Sequence, residues 1–243
     1  MKRFAIAPDV HGIEQDPYAV ESFHRFVADF KPEIRIIAGD LWDFAAIRTG
    51  ATPEEKAQSM KQDFDAGCDF ATRFFKGGKE NHLLLGNHDI RLWDMKHCLD
   101  ATRRDLAERM VADVMGKVKA WKCKLWPYDS RHGVLKLGHL TVVHGYHTGA
   151  NACAAHARIY GNVVFGHIHS IEAFQTPGLD QKEARSIGCL CKLDMEYASR
   201  KTGKLKWAQG WAYGWLHNDG TYTIHQARKI GDKFYASTNI QSY

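Results

Sequence analysis

With 243 residues, 44% of them hydrophobic, the chain is long enough for one large domain with a full core. Its formal net charge of +5 suits anionic substrates but does not by itself mark a nucleic-acid binder, because a sequence shows no faces. The opening MKRFAIAPDVHG has only a short apolar run, ending at Pro8-Asp9, and no later stretch is long enough to span a bilayer. The expectation is a cytoplasmic protein with no membrane partner; its oligomeric state is not legible.

Residues 3–7 read as a first strand. Asp16-Pro17 then starts a helix, with Asp as N-cap and Pro at the first helical position. Val20, Phe23, Phe26, Val27 and Phe30 recur at helical spacing before Lys31-Pro32 stops the run. Ile34–Ala38 is the next strand, which completes a βαβ unit. A second helix spans about 52–76. It opens on a capping box at Thr52-Pro53-Glu54-Glu55, carries Met60, Phe64, Cys68, Ala71 and Phe75 as a stripe, and ends at Gly77-Gly78.

The strand His82–Leu85 follows. A third helix, about 102–120, places Leu106, Met110, Val114 and Val118 on one face. Residues 134–137 and 140–143 form a hairpin around Gly138-His139, an Ala-rich helix covers about 151–159, and Asn162–Phe165 is a strand. After His169 the helical period fades into β-like segments near 171–175, 185–192, 205–216, 221–228 and 233–237, with a hairpin turn at Asn218-Asp219-Gly220. Alternating β and α followed by mostly β predicts a layered α/β fold over a single domain, residues 1–243. The helical segments 52–76 and 102–120 are expected to wall a substrate pocket.

Five clusters of ligand-type residues stand at or just after the short apolar runs. They are Asp9-Val10-His11, Gly39-Asp40 with Asp43, Gly86-Asn87-His88-Asp89, His144-Gly145, and Gly166-His167-Ile168-His169. Side chains at the ends of parallel strands converge on one crevice. Gathered there, these acid, amide and imidazole groups make a site for two metal ions. One carboxylate, having two oxygens, can bridge both. Mixed oxygen and nitrogen ligation favours manganese first, with iron, zinc, nickel or cobalt as alternatives, over magnesium or calcium. Two such ions can clamp a phosphoryl oxygen and acidify a shared water that attacks phosphorus. His88 would assist the leaving group, with Asp89 orienting the imidazole and raising its pKa.

The ordered set D-x-H, G-D-x-x-D, G-N-H-D, H-G and G-H-x-H resembles the calcineurin-like metallophosphoesterase family. The match runs from Asp9 to His169, about two thirds of the chain. The resemblance implies a four-layer α/β/β/α sandwich with a dinuclear metal centre at strand ends. It implies Asp9, His11, Asp40 and His169 at the first metal, and Asp40 as bridge with Asn87, His144 and His167 at the second. It implies His88 as the catalytic imidazole, Asp89 as its partner, and Asp43 in a supporting position. Phe44 stands where the serine/threonine phosphatase branch has Arg, which argues against a protein phosphatase.

The leading reading is therefore metal-dependent hydrolysis of a phosphate ester by a phosphodiesterase or phosphatase. A DNA or RNA nuclease is the alternative, and a non-catalytic scaffold on the same fold the remote one. Arg91 is a candidate phosphate contact, or else pairs with Asp94, and His147 is a candidate substrate contact. The basic run Arg200, Lys201, Lys204 and Lys206 beside Trp207 reads as a solvated hairpin, and Trp207, Trp211 and Trp215 as core. The six cysteines read as reduced core filler, with Cys189 and Cys191 on one strand face.

Overall fold

The structure, a computed structural model, describes residues 1–195 and 205–237. Its first half alternates β1 (Lys2–Ala7), α1 (Pro17–Phe30), β2 (Ile34–Ile37), α2 (Pro53–Lys56), α3 (Met60–Phe75), β3 (Glu80–Leu84), α4 (Ile90–Met95), α5 (Ala101–Ala120) and β4 (Cys123–Trp126). The second half runs β5 (Leu135–Leu137), β6 (Leu140–Val142), α6 (Ala152–Tyr160), β7 (Val163–Phe165), β8 (Ile171–Gln175), β9 (Glu183–Ile187), β10 (Gly210–Leu216), β11 (Tyr222–Ile230) and β12 (Lys233–Tyr235).

Local chemistry sets most of these boundaries. The Asp16 side chain accepts from Ala19 N and Pro17 opens α1, while Lys31 closes it in a left-handed conformation. The helix expected across 52–76 is two helices. The Thr52–Glu55 capping box closes a single turn, and the Ser59 side chain then accepts from Gln62 N and starts α3 afresh. On α5, Leu106 is 43% exposed and Ala107 is buried in its place, so the apolar face is offset by one position there. Helix α4 and strand β4 were not expected. The first has only six residues and the second only four at a sheet edge, too few repeats to stand out as a pattern.

Two sheets result. The larger has the order β12-β11-β10-β1-β2-β3-β4, with β1 to β4 parallel; the smaller has β5-β6-β7-β9-β8, with β6, β7 and β9 parallel. Side chains alternate across the larger sheet with the period of two that a strand dictates. Phe4, Ile6, Ile34, Ile36 and Ala212 face inward and meet Leu135, Val142, Val164 and Ile187 of the smaller sheet. Ala5, Ala7, Ile37, Trp211, Tyr213 and Trp215 face outward and are covered by α1, α3, α4 and α5. Helix α6 covers the far face of the smaller sheet through Ala152, Cys153 and Ala157 against Val163 and Phe165. The layers are thus helix, sheet, sheet, helix, the four-layer order expected. Because β1 and β2 are buried on both faces, their sequences read as near-continuous apolar runs, Phe4–Ala7 and Ile34–Ile37, the second interrupted only by the buried Arg35. Truncating Phe4, fully buried between the sheets, to Ala would cost roughly 3–5 kcal/mol.

The C-terminal strands differ in detail from expectation. The segment near 185–192 leaves the sheet after Ile187, and Cys189 and Cys191 lie beyond it, held by single bridges to Gln209 and Gln15. Both are fully buried. Strand β10 begins at Gly210, so Trp211 and Trp215 pack against Phe23 and Phe30 of α1 while Trp207 lies outside the strand. Of the basic run, Lys206 stands 3.9 Å from Glu172, and Arg200, Lys201 and Lys204 lie outside the described residues. Among the described residues no helix is long and apolar enough to cross a membrane.

Candidate metal centre

The parallel strands β1, β2 and β3 of one sheet and β6 and β7 of the other release their chains at one shared edge. Asp9 and His11 follow β1, Asp40 follows β2, and Asn87 and His88 follow β3; His144 follows β6, and His167 and His169 follow β7. Cross-sheet hydrogen bonds fix that edge. His144 Nδ1–H donates to Ala38 O at 2.8 Å, and His167 N–H donates to both Asp9 carboxylate oxygens at 2.9 Å.

The turns are tight enough to force unusual backbone. Among the described residues eight non-glycine positions have left-handed φ, and Asp9, His11, Asp40, Phe44, His167 and His169 are six of them. Such conformations cost of order 1–3 kcal/mol each and persist where the surroundings over-determine them, which happens chiefly at functional sites. The motif glycines have a second cause, close approach. A Cβ on Gly86 would lie 2.1 Å from Asp40 Oδ1, and one on Gly166 would lie 2.1 Å from Asp9 Oδ2.

The side chains gather into two groups that share Asp40. In the first, His11 Nε2 is 3.1 Å from His169 Nε2 and 3.8 Å from Asp40 Oδ2, and His169 Nε2 is 3.4 Å from Asp9 Oδ1. In the second, Asn87 Oδ1 is 2.7 Å from His167 Nδ1 and 3.0 Å from His144 Nε2, which is 3.3 Å from Asp40 Oδ2. Asp9, His11, Asp40, His144 and His169 are buried, while Asn87 and His167 are half-buried toward the mouth.

The chemistry of this donor set fits cations. His144 commits Nδ1–H to Ala38 O, so in its neutral form Nε2 presents a lone pair. That lone pair faces an amide oxygen and a carboxylate oxygen, both acceptors. His11 likewise commits Nδ1–H to Asp43 Oδ1 and turns Nε2 inward toward His169 and Asp40. Only a proton or a cation can satisfy such converging lone pairs. Burial alone would lower the pKa of both imidazoles, yet the Asp43 hydrogen bond and Asp40 raise His11 to about 9, and Asp40 raises His144 to about 9. Conversely, burial works against the charged form of Asp40, but His144, His88 and His11 hold its pKa well below the usual carboxylate range.

The fixed outer nitrogens are what metal-binding imidazoles need, since that bond sets tautomer and ring orientation. For His169 the outer contact is sulfur: Cys191 Sγ stands 3.8 Å from Nδ1.

His88 sits beside the shared carboxylate, with Nε2 4.0 Å from Asp40 Oδ2 and its backbone N–H donating to Asp40 Oδ1 at 2.8 Å. Its imidazole partner differs from the one expected. Nδ1–H donates to Asp43 Oδ1 at 2.5 Å, whereas the Asp89 oxygens accept backbone N–H groups of Gly86, Trp42 and Leu41. Asp89 thus ties the β3 loop to the β2 loop, and Asp43 orients His88. Nor is the His88 pKa raised as expected: burial lowers it, outweighing the pull of Asp40 and Asp43. Desolvation and the nearby Asp40 raise Asp89 to about 7.

The remaining candidates are placed as follows. Arg91 Nη1–H donates to Asp43 O at 2.8 Å, which bonds it to the site's own backbone. His147 is half-buried and meets His156 edge to face at 5.3 Å. Sequence reasoning missed Asp63, on the buried stripe of α3. Its Oδ1 accepts from Ile13 N at 3.1 Å, and its Oδ2 from Asp43 N at 3.1 Å and Phe44 N at 2.9 Å, so one carboxylate braces both metal-type loops. A carboxylate in register with Gly67, Phe70 and Phe74 was the available signal. Tyr128, whose ring meets His144 edge to face at 5.7 Å, and Trp207, which lies 4.4 Å from His169, were also missed.

No family model matches the chain, and no curated protein sequence matches it. Among solved structures it is similar to an archaeal phosphodiesterase at 14% identity, covering 92% of this chain and 99% of that one with a TM-score of 0.43. It is similar to the E. coli phosphoesterase Yfce at 15% identity, covering 89% of each chain with a TM-score of 0.41. It is also similar to Vps29 of Chaetomium thermophilum at 10% identity, covering 94% of this chain and 95% of that one with a TM-score of 0.44.

Proposed function

We propose that the chain is a metal-dependent phosphoesterase that hydrolyses phosphodiesters or phosphomonoesters at a dinuclear centre. The observation that carries this reading is the pair of donor groups sharing Asp40, with His88 beside them. Asp9, His11, Asp40 and His169 would hold one divalent ion, and Asp40, Asn87, His144 and His167 the other, manganese being the first candidate. When bound, the ions would polarise a phosphoryl oxygen and acidify a water for attack on phosphorus.

The chain's own residues supply positioning and proton transfer. Asp43 keeps the His88 proton on Nδ1, and burial works against a second proton on the ring. Nε2 can therefore take a proton as the bond to phosphorus forms and return it to the leaving oxygen. This is general base and acid work by a single nitrogen. Arg91, tied to the Asp43 carbonyl, would meet a non-attacked phosphoryl oxygen, and His147 would lie farther along the substrate. The helical segments 52–76 and 102–120 would wall the pocket.

A metal-by-substrate panel tests this. Protein stripped and reloaded with manganese, zinc, iron, nickel or cobalt is offered bis-p-nitrophenyl phosphate, p-nitrophenyl phosphate, and single- and double-stranded DNA. Metal-dependent cleavage of a small ester, lowered about 10²–10⁴-fold by His88→Ala, is expected. Wild-type rates no faster than a His88→Ala, Asp40→Ala double variant under every metal would contradict it, and cleavage confined to polynucleotides would make the protein a nuclease.

A further inference from the structure

We propose that Cys191 joins His11 and His169, shared with the first donor group, in an alternative site for a soft, thiolate-seeking cation at the deep end of the crevice. Each of the three offers a donor atom within 4.8 Å of the others, and all three are buried. Cys191 Sγ stands 3.8 Å from His169 Nδ1. In a tetrahedral shell with bonds of about 2.0 Å to nitrogen and 2.3 Å to sulfur, the two ligand atoms lie roughly 3.5 Å apart. The Cys191–His169 pair, at 3.8 Å, therefore stands about 0.3 Å wider than a bound pair.

The surroundings hold the sulfur there. The Cys191 carbonyl accepts from Gln209 Nε2 at 3.0 Å, and its backbone bridges to Gln15 beside the β1 loop. The Trp207 ring lies 4.4 Å from His169 and packs against the buried cluster of Cys189, Cys191 and Met195, so the sulfur has apolar surroundings. Sulfur is the one donor at this edge that manganese does not seek and that zinc, cadmium and copper(I) do. Cation binding forms the sulfur–metal bond as the thiol proton leaves to solvent; nothing is oxidised or reduced.

His169 has two nitrogens facing two neighbourhoods, Nε2 toward Asp9 and His11, and Nδ1 toward Cys191. A soft cation on the sulfur side takes His11 and His169 away from the first ion of the dinuclear centre. Cadmium or copper(I) would then inhibit the enzyme that manganese activates. That consequence rests on the function proposed above; the binding itself does not.

The test uses metal-free full-length protein titrated with cadmium chloride, with no substrate present. Wild type is expected to show a thiolate-to-cadmium ultraviolet band that saturates at one equivalent. Cys191→Ser and Cys191→Ala should lose it, and Cys189→Ser should keep it. Cadmium NMR of the wild type reads the same contact without a variant, through a sulfur-shifted resonance. An unshifted resonance, absence of the band, a band that survives in Cys191→Ser, or one lost with Cys189→Ser would overturn the proposal. Failure to hydrolyse any ester would leave these readings unchanged, so the two ideas fail separately.

Discussion

Asp43 Oδ1 accepts two imidazole N–H groups, from His88 at 2.5 Å and from His11 at 2.9 Å. One carboxylate oxygen thus orients both the candidate proton carrier and a candidate metal ligand. Asp43→Asn offers a single oxygen and can turn an N–H toward one ring. It should lower kcat and metal affinity each by about 10–100-fold, the usual loss for such a partner. Asp89→Asn, which disturbs only the loop backbone contacts, should show itself mainly in the melting temperature. Parallel kinetics, metal titrations and melts of the two variants check this. Equal kinetic losses would return the orienting role to Asp89.

Metal-free protein should lose stability as pH rises from 6.5 to 9. The folded pKa values of His11 and His144, about 9, lie above the ordinary value of 6.5. The folded state therefore binds more protons through this interval, and ∂ΔG/∂pH is negative. The contribution is whole below pH 6.5 and gone above 9. Metal affinity should move oppositely across the same window, since each ion displaces those protons. Melting curves in EDTA at pH 6.5, 7.5 and 9, paired with manganese titrations, read both trends. A rise in metal-free stability toward pH 9 would contradict the assignment.

Gly86→Ala and Gly166→Ala should fold but bind metal poorly. Neither glycine has a left-handed φ, so the cost is collision of the new Cβ: with the Asp9 carboxylate at Gly166, and at Gly86 with the Asp40 carboxylate and, at 2.5 Å, the Asp40 backbone N, so Gly86→Ala also shifts the β2 loop. Displacing a ligand carboxylate should reduce metal affinity at least 10-fold, in the range of orienting-shell losses. Elemental analysis after dialysis, with circular dichroism as the folding control, decides. Normal metal content in both variants would show that the two carboxylates do not serve as ligands.

Asp63→Ala should be the most destabilising of the site-adjacent changes. It leaves the N–H groups of Ile13, Asp43 and Phe44 without their acceptor. At about 1–3 kcal/mol for each buried group left unpaired, a loss on the order of 3 kcal/mol follows after relaxation. For a chain of this size that lowers the Tm by roughly 10 °C. Saturating manganese should recover part of it by mass action. A Tm within 2 °C or so of wild type would mean the two loops are braced elsewhere.

The five clusters were legible because strand-end residues must lie in short stretches, each following a largely apolar run such as Phe4–Ala7 or Ile36–Ala38. Their convergence follows from parallel strands, which sequence order alone suggests. The partners of those residues were not legible. Asp43 and Asp89 are both acids near His88 in sequence or space, and only the path of the β2 loop decides that Asp43 meets the ring while Asp89 meets backbone. Asp63 looked like one polar residue among many on α3. Cys191 reaches His169 across 22 positions, a contact no local pattern encodes. The break between α2 and α3 was visible in principle, since Ser59 caps as Thr52 does and the apolar stripe begins only at Met60, but the Thr52 capping box was read as the start of that same helix.

The central claim is that two ions share Asp40, and metal stoichiometry tests it most directly. Wild-type protein dialysed against manganese should retain two ions per chain, and Asp40→Ala should retain neither tightly, because both donor groups lose their common carboxylate. Wild type holding one ion or none, or Asp40→Ala still holding two, would contradict the account.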